Sequence, residues 1–273
     1  MIVFLHIPKT AGTSFQFILE NNFAFSNCHT NHASVHAHTN YAQRKIFNQS
    51  DFNFARKIFP MLQCIAGHNL VDPLALSVPN PFYMTFLREP VARILSQYQE
   101  RTLNNQRTGR PVQNFEEALR TDAELENLHV KLMAGEQNLD KAKRFLEKCS
   151  FVGLTEKFNL SLHMLGRLYP GRLNLNYQKR RVQTDNSIKK GIETDSRLME
   201  MARERNRLDI ELYSFAVNEI FPKLCAKAGL NPSDKIDPLD NYRHRIRLKI
   251  LLNRFYNQSI YRQLCKVRGS RSR

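Results

Sequence analysis

The chain has 273 residues, 42% of them hydrophobic and 24% charged, the balance of a folded globular protein rather than a disordered one. Its 41 Lys and Arg against 25 Asp and Glu give a formal net charge of +16, which calls for a polyanionic partner: nucleotide, nucleic acid, acidic glycan or anionic lipid. Five scattered Cys without a CxxC pair argue against a disulfide framework or zinc ribbon; with no apolar run near the roughly 20 residues of a bilayer span and no basic-led signal peptide, the expectation is a soluble cytoplasmic protein.

Ile2-Val3-Phe4-Leu5 is a continuous apolar run of the kind buried on both faces of a parallel sheet. A turn from His6 to Ser14 follows, and Phe15, Ile18 and Leu19 then share one helical face. Periodicity is weak from Phe23 to Pro60, so loops with short helices are expected there. Cys64–Gly67 reads as a second strand ending in a turn at His68, and Phe82–Leu87 as a third, closed by Arg88-Glu89-Pro90. Pro90 suits the first turn of a helix, which Val91, Ile94, Leu95 and Tyr98 continue at i, i+3, i+4 and i+7.

Further on, a helix is predicted from about Asn114 to Glu136 with a break at Gly135, a strand at Phe151–Leu154 and a helix over Lys157–Leu168. Arg172–Ile192 reads as an exposed basic and polar loop, and Thr194–Phe221 as one long helix ended by Pro222. Arg243–Cys265 interleaves basic residues with Ile246, Ile250, Phe255 and Ile260, a basic amphipathic helix. From Asp240 to Arg273 there are 10 basic side chains and 1 acidic, so +9 of the +16 lies in this stretch. Strands separated by helices predict an α/β fold with a P-loop-like central parallel sheet, as one domain over residues 1–240 followed by a basic helical tail over 241–273.

Strand, small-residue loop, helix is the layout that aims backbone N–H groups and a helix N-terminus at an anion. In Pro8-Lys9-Thr10-Ala11-Gly12-Thr13-Ser14 the Lys precedes the Gly and the leading Gly is missing, unlike the GxxxxGKS/T loop of nucleotide triphosphatases. His6 reads as a packed or hydrogen-bonded histidine. Arg88 falls at a strand's C-terminal end, where open α/β sheets bind ligands, and Ser96 lies two turns into the next helix, off its apolar face. An Arg and a hydroxyl converging there suit a phosphate. His29, His32, His36 and His38 match no zinc spacing and read as an acceptor-binding or solvated loop.

FLHIPKTAGTSF, followed by FLREPVARILSQY, resembles the sulfotransferases that use 3′-phosphoadenosine 5′-phosphosulfate (PAPS), most nearly the carbohydrate O-sulfotransferases of the heparan sulfate 2-O and 6-O type. GHN at Gly67, FVGLTEKFNLSL and NRLDIELYSFA extend the likeness from residue 1 to about 221. The resemblance implies that the PKT loop, Lys9, Thr10, Ala11, Gly12, Thr13 and Ser14, holds the 5′-phosphosulfate. Arg88 and Ser96 would hold the 3′-phosphate, with Arg93 assisting or ion-paired to Glu89 or Glu100. It also implies that the GH segment supplies the catalytic base, His68. The Golgi members carry an N-terminal membrane anchor and lumenal disulfides without counterpart in this sequence, so a soluble relative is expected.

In-line sulfuryl transfer needs stabilisation of the leaving oxygen, where negative charge grows, and a base for the attacking hydroxyl. Lys9 is the candidate for the first and His68 for the second. The donor is then PAPS, the product 3′,5′-ADP, the acceptor a carbohydrate or other hydroxyl, and no metal is required. Residues between Arg172 and Arg181 line the acceptor site or form a solvated loop. The basic tail packs on the body or meets anionic lipid or glycan. Two alternatives stay open: a P-loop kinase, and a non-catalytic polyanion-binding protein. No RNP-like or zinc-finger pattern points to nucleic acid.

Overall fold

Among the described residues five short strands pair, all in parallel, in the order β2-β3-β1-β4-β5: β1 (Ile2–Leu5), β2 (Asn27–His29), β3 (Cys64–Gly67), β4 (Phe82–Leu87) and β5 (Phe151–Leu154). The computed structural model describes residues 1–33, 45–59, 61–169, 173–177, 186–239 and 248–270. Strand β1 is central, with Leu5 in register with Gly67 of β3 on one side and Thr85 of β4 on the other. Its four residues are buried on both faces, which is why they read as an unbroken apolar run. Because every pairing is parallel, the C-terminal ends of all five strands open on one edge.

Helices α1 (Gly12–Phe23), α2 (Gln49–Ile58), α3 (Pro90–Thr108), α4 (Phe115–Thr121), α5 (Leu128–Ala134), α6 (Leu139–Lys148) and α7 (Phe158–Leu168) flank the sheet. They are followed by α8 (Ser187–Glu193), α9 (Ser196–Arg205), α10 (Arg207–Phe215), α11 (Phe221–Lys227), α12 (Leu248–Phe255) and α13 (Arg262–Ser270). No described helix is long and apolar enough to cross a membrane. All five Cys are buried free thiols. The α/β architecture is thus the one expected.

Several boundaries differ from the sequence reading, each for a local reason. The predicted 114–136 helix is cut at Asp122, whose carboxylate accepts the Glu124 amide, and again at Asn127. The predicted 194–221 helix is cut at Asn206. Asn127 and Asn206 clasp each other's turns: Asn206 Oδ1 accepts the Asn127 amide, and Asn127 Oδ1 accepts the amides of Leu208 and Asp209. Buried amide side chains thereby take backbone donors at the points where the helices break. Pro222 does not end a helix; it sits in the first turn of α11, after a widened turn at Ala216–Ile220. The 172–192 stretch is not simply exposed. Asn174 exchanges two hydrogen bonds with Asn22 at the end of α1, Tyr177 is buried, and α8 occupies its end; Arg172 and Arg181 lie outside the described residues.

Strand β2 and helix α6 were not expected. The outer edge of β2 is covered by the C-terminal helices, where Asn257 stands in for a neighbouring strand. Its Oδ1 accepts the His29 amide at 3.0 Å and its Nδ2 donates to the Asn27 carbonyl at 3.1 Å. Arg254 pairs with Glu20 of α1, Tyr261 is buried in the main core, and Arg268 reaches Asp51 of α2. The basic stretch therefore docks on the body through one of its faces.

Candidate active site

The residues after β1 make the tightest part of the site. Lys9 (φ 70°) and Ala11 (φ 61°) both adopt the left-handed conformation, rare for side chains with a Cβ, and Ala11 caps α1 without a side-chain hydrogen bond. Gly12 and Thr13 open α1 and line the cleft, and their amides have no helical carbonyl behind them to bond. The Ser14 amide does not join them, because it is donated to the Ala11 carbonyl at 3.1 Å. Thr10 is turned inward, its hydroxyl donating to the Ile7 carbonyl at 2.9 Å. Of the seven loop residues from Pro8 to Ser14 it alone offers no surface to the cleft. Gly12 is required by contact: a Cβ there would lie 2.0 Å from the His6 ring. His6 is the packed histidine expected, and it sets the identity of the loop's glycine.

His68 follows β3, the neighbour of β1. Its ring lies against that of His6, centroids 4.0 Å apart, and its Nδ1 is 2.7 Å from the His6 carbonyl oxygen. A carbonyl only accepts, so Nδ1 carries the hydrogen, and Nε2 of the neutral ring is left as the basic nitrogen. The His68 amide is bonded to Asn31 Oδ1 at 2.7 Å. This close approach depends on Gly67, where a Cβ would meet Thr30 Oγ1 at 2.2 Å and Asn31 Oδ1 at 2.6 Å.

Arg88 follows β4, on the other side of β1. Its Nη1 donates to the Lys9 carbonyl at 3.1 Å, tying the two strand ends together. Burial lowers its pKa, opposed by the nearby carboxylates of Glu156 and Glu89. Pro90 opens α3 as expected, capped by Glu89, whose carboxylate accepts the amides of Val91 and Ala92. Arg93 does not join the site. It is fully buried, donates to the Glu124 carbonyl at 2.6 Å, and pairs with neither Glu89 nor Glu100. Burial brings its pKa down to about 10, against the opposing fields of Asp209, Glu124 and Asp122.

One cleft of about 710 Å³ gathers these groups: Lys9, the loop from Ala11 to Ser14, His68, Arg88 and Ser96 all line it. Its size is in the range of small-molecule and cofactor sites. Sequence reasoning missed three carboxylates on its wall. Glu100 pairs with Lys9 at 3.3 Å. Glu124 accepts from Gln97, and Glu156 accepts from the Glu89 amide and from the Tyr213 hydroxyl. Glu100 was within reach, since it falls four residues after Ser96 and so on the same helical face. Phe158, Asn159 and Tyr177 complete the far wall, with Tyr177 bonded to Asn159 at 2.9 Å.

Comparison with protein families finds the model of the sulfotransferase family over residues 1–216, which contain every residue of this cleft. The chain belongs to the sulfotransferase family. Sulfuryl transfer is the general chemistry of that family. Comparison with curated proteins gives no significant match. In this sulfotransferase, His29 and His32 are not in the cleft lining. Burial pulls their pKa values down to about 3 and about 4, with cationic neighbours in the same direction, so both rings are neutral at pH 7. His36 and His38 lie outside the described residues. Among the described residues no cluster of three or more His, Cys, Asp or Glu side chains is arranged to hold a metal.

The Lys9–Glu100 pair bears directly on anion binding. Glu100 sets a negative charge beside the Lys9 ammonium, and it is partly exposed, so screening by water tempers its effect. Glu100→Gln is expected to tighten 3′,5′-ADP about two- to fivefold, read by isothermal titration calorimetry. Weaker binding in the variant would instead make Glu100 the residue that holds Lys9 in place.

Proposed function

We propose that the protein transfers the sulfuryl group of PAPS to a hydroxyl of a carbohydrate acceptor. The observation that supports this most is the single cleft holding both Lys9 and Arg88, joined by the Arg88–Lys9 carbonyl bond. The donor set suits a nucleotide with anionic groups at both ends: the Lys9 ammonium, the Arg88 guanidinium, the hydroxyls of Thr13, Ser14 and Ser96, and the amides opening α1. PAPS supplies the activated sulfuryl group. Gly12, Thr13 and Ser14 hold the 5′-phosphosulfate, Ala11 contributes through the backbone of the loop, and Thr10 acts only by bracing the loop on the Ile7 carbonyl. Arg88 and Ser96 select the 3′-phosphate. Lys9 sets a positive charge where the leaving oxygen gains a negative one. His68 Nε2 takes the proton of the acceptor hydroxyl, its tautomer fixed by the His6 carbonyl. The carbohydrate acceptor rests on the likeness of the two motifs to the heparan sulfate 2-O and 6-O enzymes. In the same reading residues 1–240 form the catalytic domain and 241–273 the tail, and the location is cytoplasmic, in keeping with the free thiols.

Thermal unfolding with 3′,5′-ADP, ATP and heparin tests this. A ligand at 100 times its Kd adds about 2.7 kcal/mol, so 3′,5′-ADP is expected to raise Tm by several degrees, well beyond ATP. Ser96→Ala and Arg88→Ala should each narrow the gap. Greater stabilisation by ATP would favour the kinase, and stabilisation by heparin alone a non-catalytic polyanion binder.

A further inference from the structure

Among the described residues the C-terminal helices have one face buried against the body and a second, apolar face turned away from it. Ile250, Asn253, Asn257, Tyr261 and Cys265 are buried against α1, α2 and β2. Leu248, Leu251, Leu252 and Phe255 follow the i, i+3, i+4, i+7 spacing of a second stripe that points away from that face. These side chains are exposed, Leu248 by 69% and Phe255 by 61%, and Leu264 adds to the exposed apolar surface farther along. Contiguous exposed leucine and phenylalanine on a helix is a recognition feature rather than ordinary surface.

Charge decides among the occupants. The stretch from Asp240 to Arg273 carries 10 basic side chains and 1 acidic. Two of the cations, Arg254 and Arg268, are matched by carboxylates of the body, Glu20 and Asp51. With those two matched, a second copy would bring one stretch of +7 against another. A soluble acidic glycan would satisfy the charge and leave the leucines and phenylalanine in water. An anionic bilayer satisfies both, taking the apolar stripe at the headgroup boundary and the cations at its surface.

We infer that the Leu248–Leu252–Phe255 face is an interfacial element that lays the protein on anionic lipid membranes. The inference is independent of the donor or acceptor of the cleft. Sedimentation of the full chain with phosphatidylcholine vesicles, with and without about one-third phosphatidylglycerol, tests it. Binding is expected on the mixed vesicles only, and Leu251→Glu with Phe255→Glu is expected to lower it at least about tenfold at unchanged Tm. Lys9→Ala should bind vesicles like the wild type, which separates the helix from the basic cleft. Wild-type protein left in the supernatant would overturn the inference, as would undiminished binding by the double variant or loss of binding in Lys9→Ala. So would a wild-type dimer that the double variant converts to monomer, since the face would then join two copies.

Discussion

Lys9→Ala is expected to slow sulfuryl transfer by about 10²–10³-fold, the range for removing one donor to a developing oxyanion, while 3′,5′-ADP still binds. The reason lies in how the loop is held. What Arg88 grips is the backbone carbonyl of Lys9, 3.1 Å away, and alanine keeps that carbonyl. The left-handed conformation at this position is no worse for alanine than for lysine, so the curl of the loop survives. Glu100 loses this ion pair, but it is 40% exposed and water takes the ammonium's place. The variant thus removes a charge from the reaction and little from the fold. Single-turnover rates with ³⁵S-labelled donor, alongside Tm and the affinity for 3′,5′-ADP, check it. A Lys9→Ala protein with near wild-type turnover would remove the leaving-oxygen role, whatever its affinity for nucleotide.

The parts of this site legible in the sequence are those written in short-range patterns. The apolar runs of β3 and β4 are followed at once by His68 and Arg88, and that of β1 by a short loop carrying Lys9, and parallel pairing alone places those ends on one edge. Ser96 was found because helical periodicity separates it from the face of Val91, Ile94 and Tyr98. Strand β2 was not legible: it is three residues long, and the group completing its edge, Asn257, lies 228 residues from His29. Asn31, which holds the His68 turn, comes from the same stretch and gives no local signal. The long helices were misread because a 3.6-residue period is blind to Asn127 and Asn206, whose amides take the backbone donors where the helices break. Arg93 escaped both readings open to it, a role beside the ligand and an ion pair with Glu89 or Glu100: the structure encloses it against the Glu124 carbonyl, a partner 31 residues away that no local pattern marks. Glu156 had a usable signal, standing two residues past the end of β5 on the edge that carries the other groups.

His68→Asn separates chemistry from structure at the second position. The His68 ring does two things: Nδ1 donates to the His6 carbonyl at 2.7 Å, and that tautomer makes Nε2 the accepting nitrogen. An asparagine amide nitrogen stands near the place of Nδ1 and can make the same donation, but asparagine has no basic atom to offer. His68→Ala makes neither contribution. It leaves the His6 carbonyl without this donor, at a cost of about 1 kcal/mol, and opens space beside a ring that His68 now covers at 4.0 Å. The expectation is therefore that Asn restores the Tm lost by Ala and restores none of the rate, both variants turning over about 10²–10⁴-fold slower than the wild type, the span for a general base. If Asn regained turnover together with stability, His68 would be a residue that only braces the turn after Gly67, and the proton of the acceptor would have to leave by another group on the cleft wall. Glu100 is then the first to test, because it already stands 3.3 Å from Lys9.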